Sequence, residues 1–237
     1  PTSLTAGRVE RLVRGALSVV VPVVADGVGG AVALPEIQSL RRDGELLGRE
    51  CPASGLSAEL RERLAEEAGN LVGALRWGGV VGVAFLVAPD GRAWFRRLIR
   101  GLPEGWWLAD AVAGVELALA AMALAKEEDL GWSQEDVSVE TVALQLCLKA
   151  TGPGVLEQLT LPEDADVQIL RAEGADLAQG ADIAGFLVQG PTHSVALVCA
   201  KLLLDGVEVE GVPTNLDALR RLVTEPGFWG PRLLGAG

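Results

Sequence analysis

The chain has 237 residues, 49% of them apolar, with 20 basic and 32 acidic side chains, a formal net charge of −12 and one histidine. That length can bury a sizeable core and holds one or two small domains, while the negative field repels nucleic acid and anionic membrane surfaces, which excludes a nucleic-acid function. Mean hydropathy is +0.32, yet no uncharged apolar run reaches the roughly 20 residues a bilayer requires; the longest candidate, Ala111 to Ala125, carries Glu116 and reads as a buried core helix.

Three cysteines, Cys51, Cys147 and Cys199, are odd in number and far apart, which is neither a disulfide framework nor a zinc pattern. A cytoplasmic location without a membrane segment is expected. The start at Pro1 reads either as loss of an initiator Met or as a cut fragment.

In chain order, GRVERLVRGA leads into two apolar runs joined by Asp26-Gly27-Val28-Gly29-Gly30, a hairpin signal. A phosphate cradle would need a helix after the glycines and a Lys-Ser/Thr pair, and both are missing. Ser57 is a good N-cap for a helix running to Arg76 on Leu60, Leu64, Leu71, Val72 and Leu75. Val80 to Val87, the turn Pro89-Asp90-Gly91 and Ala93 to Phe95 form a second hairpin, which feeds a long apolar helix. A polar connector follows and ends in an alternating strand at Val137 to Val139, where the domain boundary is placed: residues 1–135 and 136–237. Beyond it, short strands alternate with Gly, Pro, Asp and Glu. A helix spans His193 to Leu204, then comes a strand Val207 to Glu210, and Thr214-x-x-Asp217 opens a last helix as a capping-box variant.

Four segments together resemble one family. Gly79 to Leu124 is similar, without a gap, to the stretch of biotin carboxylases in which a strand glutamate, a hairpin and a Glu-x-Asn-x-Arg-x-Gln-Val-Glu-His run form the ATP-metal and carboxylation site. LSVVVPVVADGVGGAVAL resembles the family's strand pair after its adenine hinge, GRECPASGLS matches an ending EEAPAPGLS, and DGVEVEGVPTNLDALRRLVTEPGFWGPRL resembles the end of the C-terminal domain. The resemblance runs from about Gly7 to Leu234 and implies an α+β fold: an ATP-grasp-like antiparallel sheet with flanking helices, then a separate strand-rich body similar to the biotin carboxylase C-terminal domain. No counterpart of the family's amino-terminal domain and glycine-rich lid is expected before Gly7.

The same resemblance implies a degenerate site. Ala84 stands where the family has its strand glutamate, Arg97, Ile99 and Gly101 where it has glutamate, asparagine and arginine, and Pro103, Glu104 and Gly105 where it has glutamine, valine and glutamate. Cys147 takes the place of the arginine that meets the biotin enolate, and Arg41-Arg42-Asp43-Gly44-Glu45 lacks the family's phosphate-site lysine. Glu10, Arg11, Leu12 and Val13 would be a vestigial adenine hinge. Mg²⁺ is held mainly through carboxylates, so no metal and no productive cofactor is expected. On their own chemistry, Glu104 reads as a solvated loop acid, Cys147 as a buried small hydrophobe and His193 as a residue that helps start a helix. Trp106 and Trp107 read either as interface anchors or as filling for the lost site.

Three functions follow. The first is an inactive biotin-carboxylase-like structural or regulatory subunit of a biotin-dependent carboxylase-type assembly, such as an acyl-CoA carboxylase. It would pair with itself or with a biotin carboxylase homologue, beside biotin carrier or carboxyltransferase subunits. The second is a carboxylase fragment completed by another chain, and the third an adenine-nucleotide sensor.

Overall fold

The computed structural model of the chain describes residues 15–163 and 165–225. The first hairpin forms from β1 (Leu17–Asp26) and β2 (Ala31–Ala33). Its turn is closed by the Asp26 carboxylate, which accepts the N–H groups of Val28, Gly29 and Gly30 at 2.8, 3.0 and 2.9 Å. Those donors are consumed inside the turn, so the glycines shape a hairpin and do not face a phosphate.

β3 (Ile37–Arg42) and β4 (Glu45–Cys51) pair next, followed by α1 (Ala58–Ala74). Ser57 Oγ accepts the Leu60 N–H at 3.3 Å, and the helix buries Leu60, Leu64, Ala68 and Val72. It stops short of the expected Arg76, which takes φ 48°. β5 (Gly78–Val87) and β6 (Ala93–Arg100) form the second hairpin, and β6 runs well past the expected Phe95.

The expected single apolar helix is two, α2 (Trp106–Ala113) and α3 (Leu117–Ala125), bent by 101°. Gly114 closes α2 in the left-handed conformation at φ 66°, which favours glycine. The Asp110 carboxylate then accepts the Leu117 N–H at 3.1 Å from both oxygens and so starts α3. Among the described residues no single helix is long and apolar enough to cross a membrane. The strand expected at Val137 to Val139 is likewise absent; a 3-10 turn at Gln134–Asp136 precedes it, and Val139 is exposed, with no ladder to join.

The remainder comprises β7 (Val142–Lys149), β8 (Gly154–Val155), β9 (Gln158–Thr160), β10 (Val167–Ile169), β11 (Asp176–Leu177), β12 (Asp182–Gly190), α4 (His193–Asp205), β13 (Glu208–Glu210) and α5 (Leu216–Thr224). Thr192, not His193, caps α4, its Oγ1 accepting the Val195 N–H at 3.3 Å. The capping box expected before α5 does not form, because Asn215 is the N-cap and its side chain turns to β7. There Asn215 Oδ1 accepts the Lys149 N–H at 2.9 Å and Nδ2 donates to the Cys147 carbonyl at 3.0 Å.

Among the described residues nine strands form one antiparallel sheet in the order β10-β12-β7-β4-β3-β1-β5-β6, with β2 on β1. This corrects the expectation of a separate body after residue 135: β7 pairs directly with β4, Cys51 opposite Ala143 and Gly48 opposite Leu146, so the sheet runs through the expected boundary. β4 would otherwise be a bare edge, and bare edges attract any free strand.

Alternation along the paired strands divides the side chains between two faces. Val19, Gln38, Glu50 and Leu144 lie in register on one face. On it α1 covers Val19, Val21, Val83 and Phe85, while α4 and α5 cover Leu144, Leu146, Leu148 and Phe186. Between these two cores runs a polar seam, where the fully buried Glu50 accepts Ser54 Oγ at 2.9 Å and lies 3.3 Å from His193 Nε2. The opposite face is covered by α2 and α3, packed on Val24, Ile37, Val80 and Ala143.

Candidate functional site

The residues that sequence comparison singles out converge on the α2/α3 face. Ala84 lies directly opposite Arg97, and Gly82 opposite Ile99, across the β5–β6 ladder. A side-chain carbon added at Gly82 would meet Pro103 Cβ at 2.9 Å and Val20 Cγ1 at 3.0 Å, so Pro103 sits on this face as well. Ala84 is buried, whereas the Arg97 guanidinium is exposed beside it. Gly101 and Gly105 take φ 74° and 82°, turning the chain from β6 into α2. Glu10, Arg11, Leu12 and Val13 lie outside the described residues.

Further along the same face a cavity of about 990 Å³ opens beside α2. Trp106 and Trp107, half-buried and edge-to-face with centroids 6.0 Å apart, form its helical wall. They pack partly on the core and partly line open space, between the two roles expected of them. The sheet wall is polar: Arg49, Gln145, Cys147 and Lys149.

Arg49 organises this wall. It donates to Gln145 Oε1 at 2.9 Å and pairs with Glu104, while only 9% of its side chain is exposed. A side-chain carbon at Gly105 would come within 2.7 Å of Arg49 Cδ, so a glycine there is needed for the guanidinium to reach across. Glu104 is exposed as expected of a loop acid, yet it is not merely solvated; it neutralises Arg49. Lys149 is answered by Asp182 at 2.8 Å. The wall therefore carries two internally matched ion pairs.

Cys147 is buried, in agreement with its alternating strand, and burial pushes its thiol up despite the nearby Arg49 and Lys149. A protonated thiol is neither a nucleophile nor a cation. Arg49 had one signal in the sequence: with Glu50 it puts adjacent opposite charges inside a strand, and a buried charge is the informative exception to apolar cores. Its partners, far away in sequence, could not be read there.

The fold family's metal can be tested against these side chains. Ala84, Arg97 and Ile99 offer a methyl, a guanidinium and an alkyl group, none of which supplies an oxygen donor, and Arg97 adds positive charge where Mg²⁺ would require negative. They do not fit a divalent cation.

Comparison with known proteins places this geometry. The family model for the carbamoyl-phosphate synthase L chain, ATP binding domain, matches residues 5–132, more than half of the chain. Biotin carboxylase from Halalkalibacterium halodurans is 23% identical over 231 residues, covering 92% of this chain and 51% of that protein. The mitochondrial methylcrotonoyl-CoA carboxylase subunit alpha of Mus musculus is 26% identical, covering 93% and 33%. A solved biotin carboxylase complex from Campylobacter jejuni superposes with a TM-score of 0.81 at 20% identity, covering 92% of this chain and 52% of that one. The chain thus spans about half the length of the biotin carboxylases it matches. It belongs to the carbamoyl-phosphate synthase L chain ATP-binding family, and within it has the antiparallel α+β fold of the biotin carboxylases.

Proposed function

We propose that this chain is a catalytically inactive biotin-carboxylase-like subunit with a structural or regulatory role in a cytoplasmic, biotin-dependent carboxylase-type assembly. The observation that carries the reading is the cross-strand pair Ala84–Arg97, a methyl and a guanidinium facing one groove at the positions the family resemblance gives to metal-binding carboxylates. Phosphoryl transfer depends on metal ions and cations that neutralise developing charge. Here the frame persists and the donors do not; of the three cations lining the cavity, Arg49 and Lys149 are engaged by Glu104 and Asp182, and Arg41 donates to the Gly44 carbonyl. The reading needs no productive nucleotide, and it makes protein association the purpose of the retained fold. The partners it implies are a second copy, a biotin carboxylase homologue, or biotin carrier and carboxyltransferase subunits.

Calorimetric titration with ATP, with and without Mg²⁺, and hydrolysis assays with bicarbonate and free biotin test the catalytic half, with an intact biotin carboxylase as the positive control. No magnesium-dependent affinity and no stimulated hydrolysis are expected; micromolar, magnesium-dependent binding would refute the reading. Light scattering, alone and with a biotin carboxylase from the same source, tests the association half. Replacing Trp106 and Trp107 together with Ala should weaken that complex by at least about 2 kcal/mol, roughly thirtyfold, if they are its anchors. A monodisperse monomer that captures no carboxylase component would count against association.

A further inference from the structure

β6 is the last strand of the sheet, and among the described residues it pairs only with β5, so half of its backbone hydrogen-bonding groups point outward. Its side chains are unusual for this chain. In a molecule of net charge −12, the stretch from Arg92 to Arg100 carries four arginines and no acid. Arg92 is held by Asp90 at 2.7 Å and lies over Trp94, and Arg100 lies over Trp77. Arg96 and Arg97 are exposed and have no ion-pair partner among the described residues. Charges on an edge strand ordinarily keep other strands away. Trp94 and Phe95, 37% and 52% exposed between those arginines, do the opposite, since aromatic side chains with arginines mark contact surfaces.

We propose that the β6 edge is a docking strand for an acidic, extended protein segment that adds to the sheet. Its backbone would complete the ladder, its carboxylates on one face would meet Arg97 with Arg96 beside it, and its apolar residues on the other face would lie on Phe95. A second copy joined edge to edge is disfavoured by charge: an antiparallel two-fold pairing centred on β6 places Arg96 against Arg97 of the other strand, and like charges directly opposite are destabilising. An acidic segment gains where the copy loses. This surface lies on the edge strand, away from the cavity, and does not depend on the carboxylase-subunit reading.

The test uses the whole chain and a labelled ten-residue peptide of alternating Glu and Val, followed by fluorescence anisotropy. Three comparison probes are the same peptide with Lys for Glu, the Glu-Val peptide N-methylated at alternate residues on its ladder edge, and a ten-nucleotide oligothymidine. The acidic peptide should bind, the Lys peptide should not, and N-methylation should lower affinity at least tenfold. The double variant Arg96→Glu/Arg97→Glu should lower it at least tenfold, and Arg96→Gln/Arg97→Gln by a smaller factor. Arg96 and Arg97 are both exposed, and circular dichroism of each variant checks that it folds. No binding of the acidic peptide at 100 µM, binding unchanged by the Glu variant, or indifference to N-methylation would overturn the proposal. Tighter binding of the oligothymidine would overturn it in favour of a nucleic-acid surface.

Discussion

Asp110 shows how one carboxyl can join two helices and still carry a cost. Burial pushes its pKa up to about 6, the nearby Glu116 adds to the rise, and the Leu117 N–H opposes it. Its ordinary value is near 3.9. Because the folded-state value is the higher one, the group's contribution favours folding fully below about pH 4 and is lost as pH rises through 6. Asp110→Asn keeps an oxygen for the Leu117 N–H without the charge. The variant should melt at a higher temperature than the parent at pH 8, and the difference should close as pH falls from about 6 to about 4; a difference independent of pH would contradict this. At this scale the sequence was legible where one residue decides a local event, as with Ser57 at the start of α1 or Asp26 in its turn. It was opaque where the partner is distant: Glu104 reads as solvated until Arg49, on another strand, is placed beside it.

Periodicity made α1, α4 and the β5–β6 hairpin readable, since each repeats its apolar positions over enough turns or pairs to define a face. Composition misled where it was uniform. The run through α2 and α3 is apolar but for Asp110 and Glu116, so its periodicity does not mark the bend, which Gly114 and the Asp110 cap define. The Val137 to Val139 alternation is too short to hold a strand without a neighbour. Asn215 is the converse case, a single side chain that ties the start of α5 to β7. Asn215→Ala would leave a backbone N–H and a carbonyl without their partner, a loss of about 3 kcal/mol at roughly 1–3 kcal/mol per buried group. Asn215→Asp should cost more, because a carboxylate still accepts from Lys149 but repels the Cys147 carbonyl. Guanidinium unfolding midpoints of the two variants and the parent decide this, and variant midpoints equal to the parent's would remove the bridging role.

For the molecule as a whole, neither the sheet nor the cores break at the expected division, residue 135. Two hydrophobic cores do lie side by side on one face with the Glu50 seam between them, but the backbone ladder from β4 to β7 does not respect the division. Strand pairing between segments so far apart leaves no local trace in a sequence, which is why the continuity was not legible. A chain cut after Glu135 should therefore fail as an independent unit. It exposes the β4 edge together with Leu40 and Leu47, which pack into the second core. Sedimentation should show it aggregating at concentrations where the full chain stays dispersed; a stable, folded monomer would mean that the two halves are separable after all.

The late arrival of β7 also sets a timetable. On a ribosome adding roughly 5–20 residues per second, β4 would emerge several seconds or more before its neighbour exists. Throughout that interval α1 can already cover its own strands, but one side of the growing sheet stays open in the crowded cell. The polypeptide is thus most exposed to mispairing as it is being made, and slower growth at low temperature, or an abundant nascent-chain chaperone, should raise its recoverable yield without altering the finished molecule.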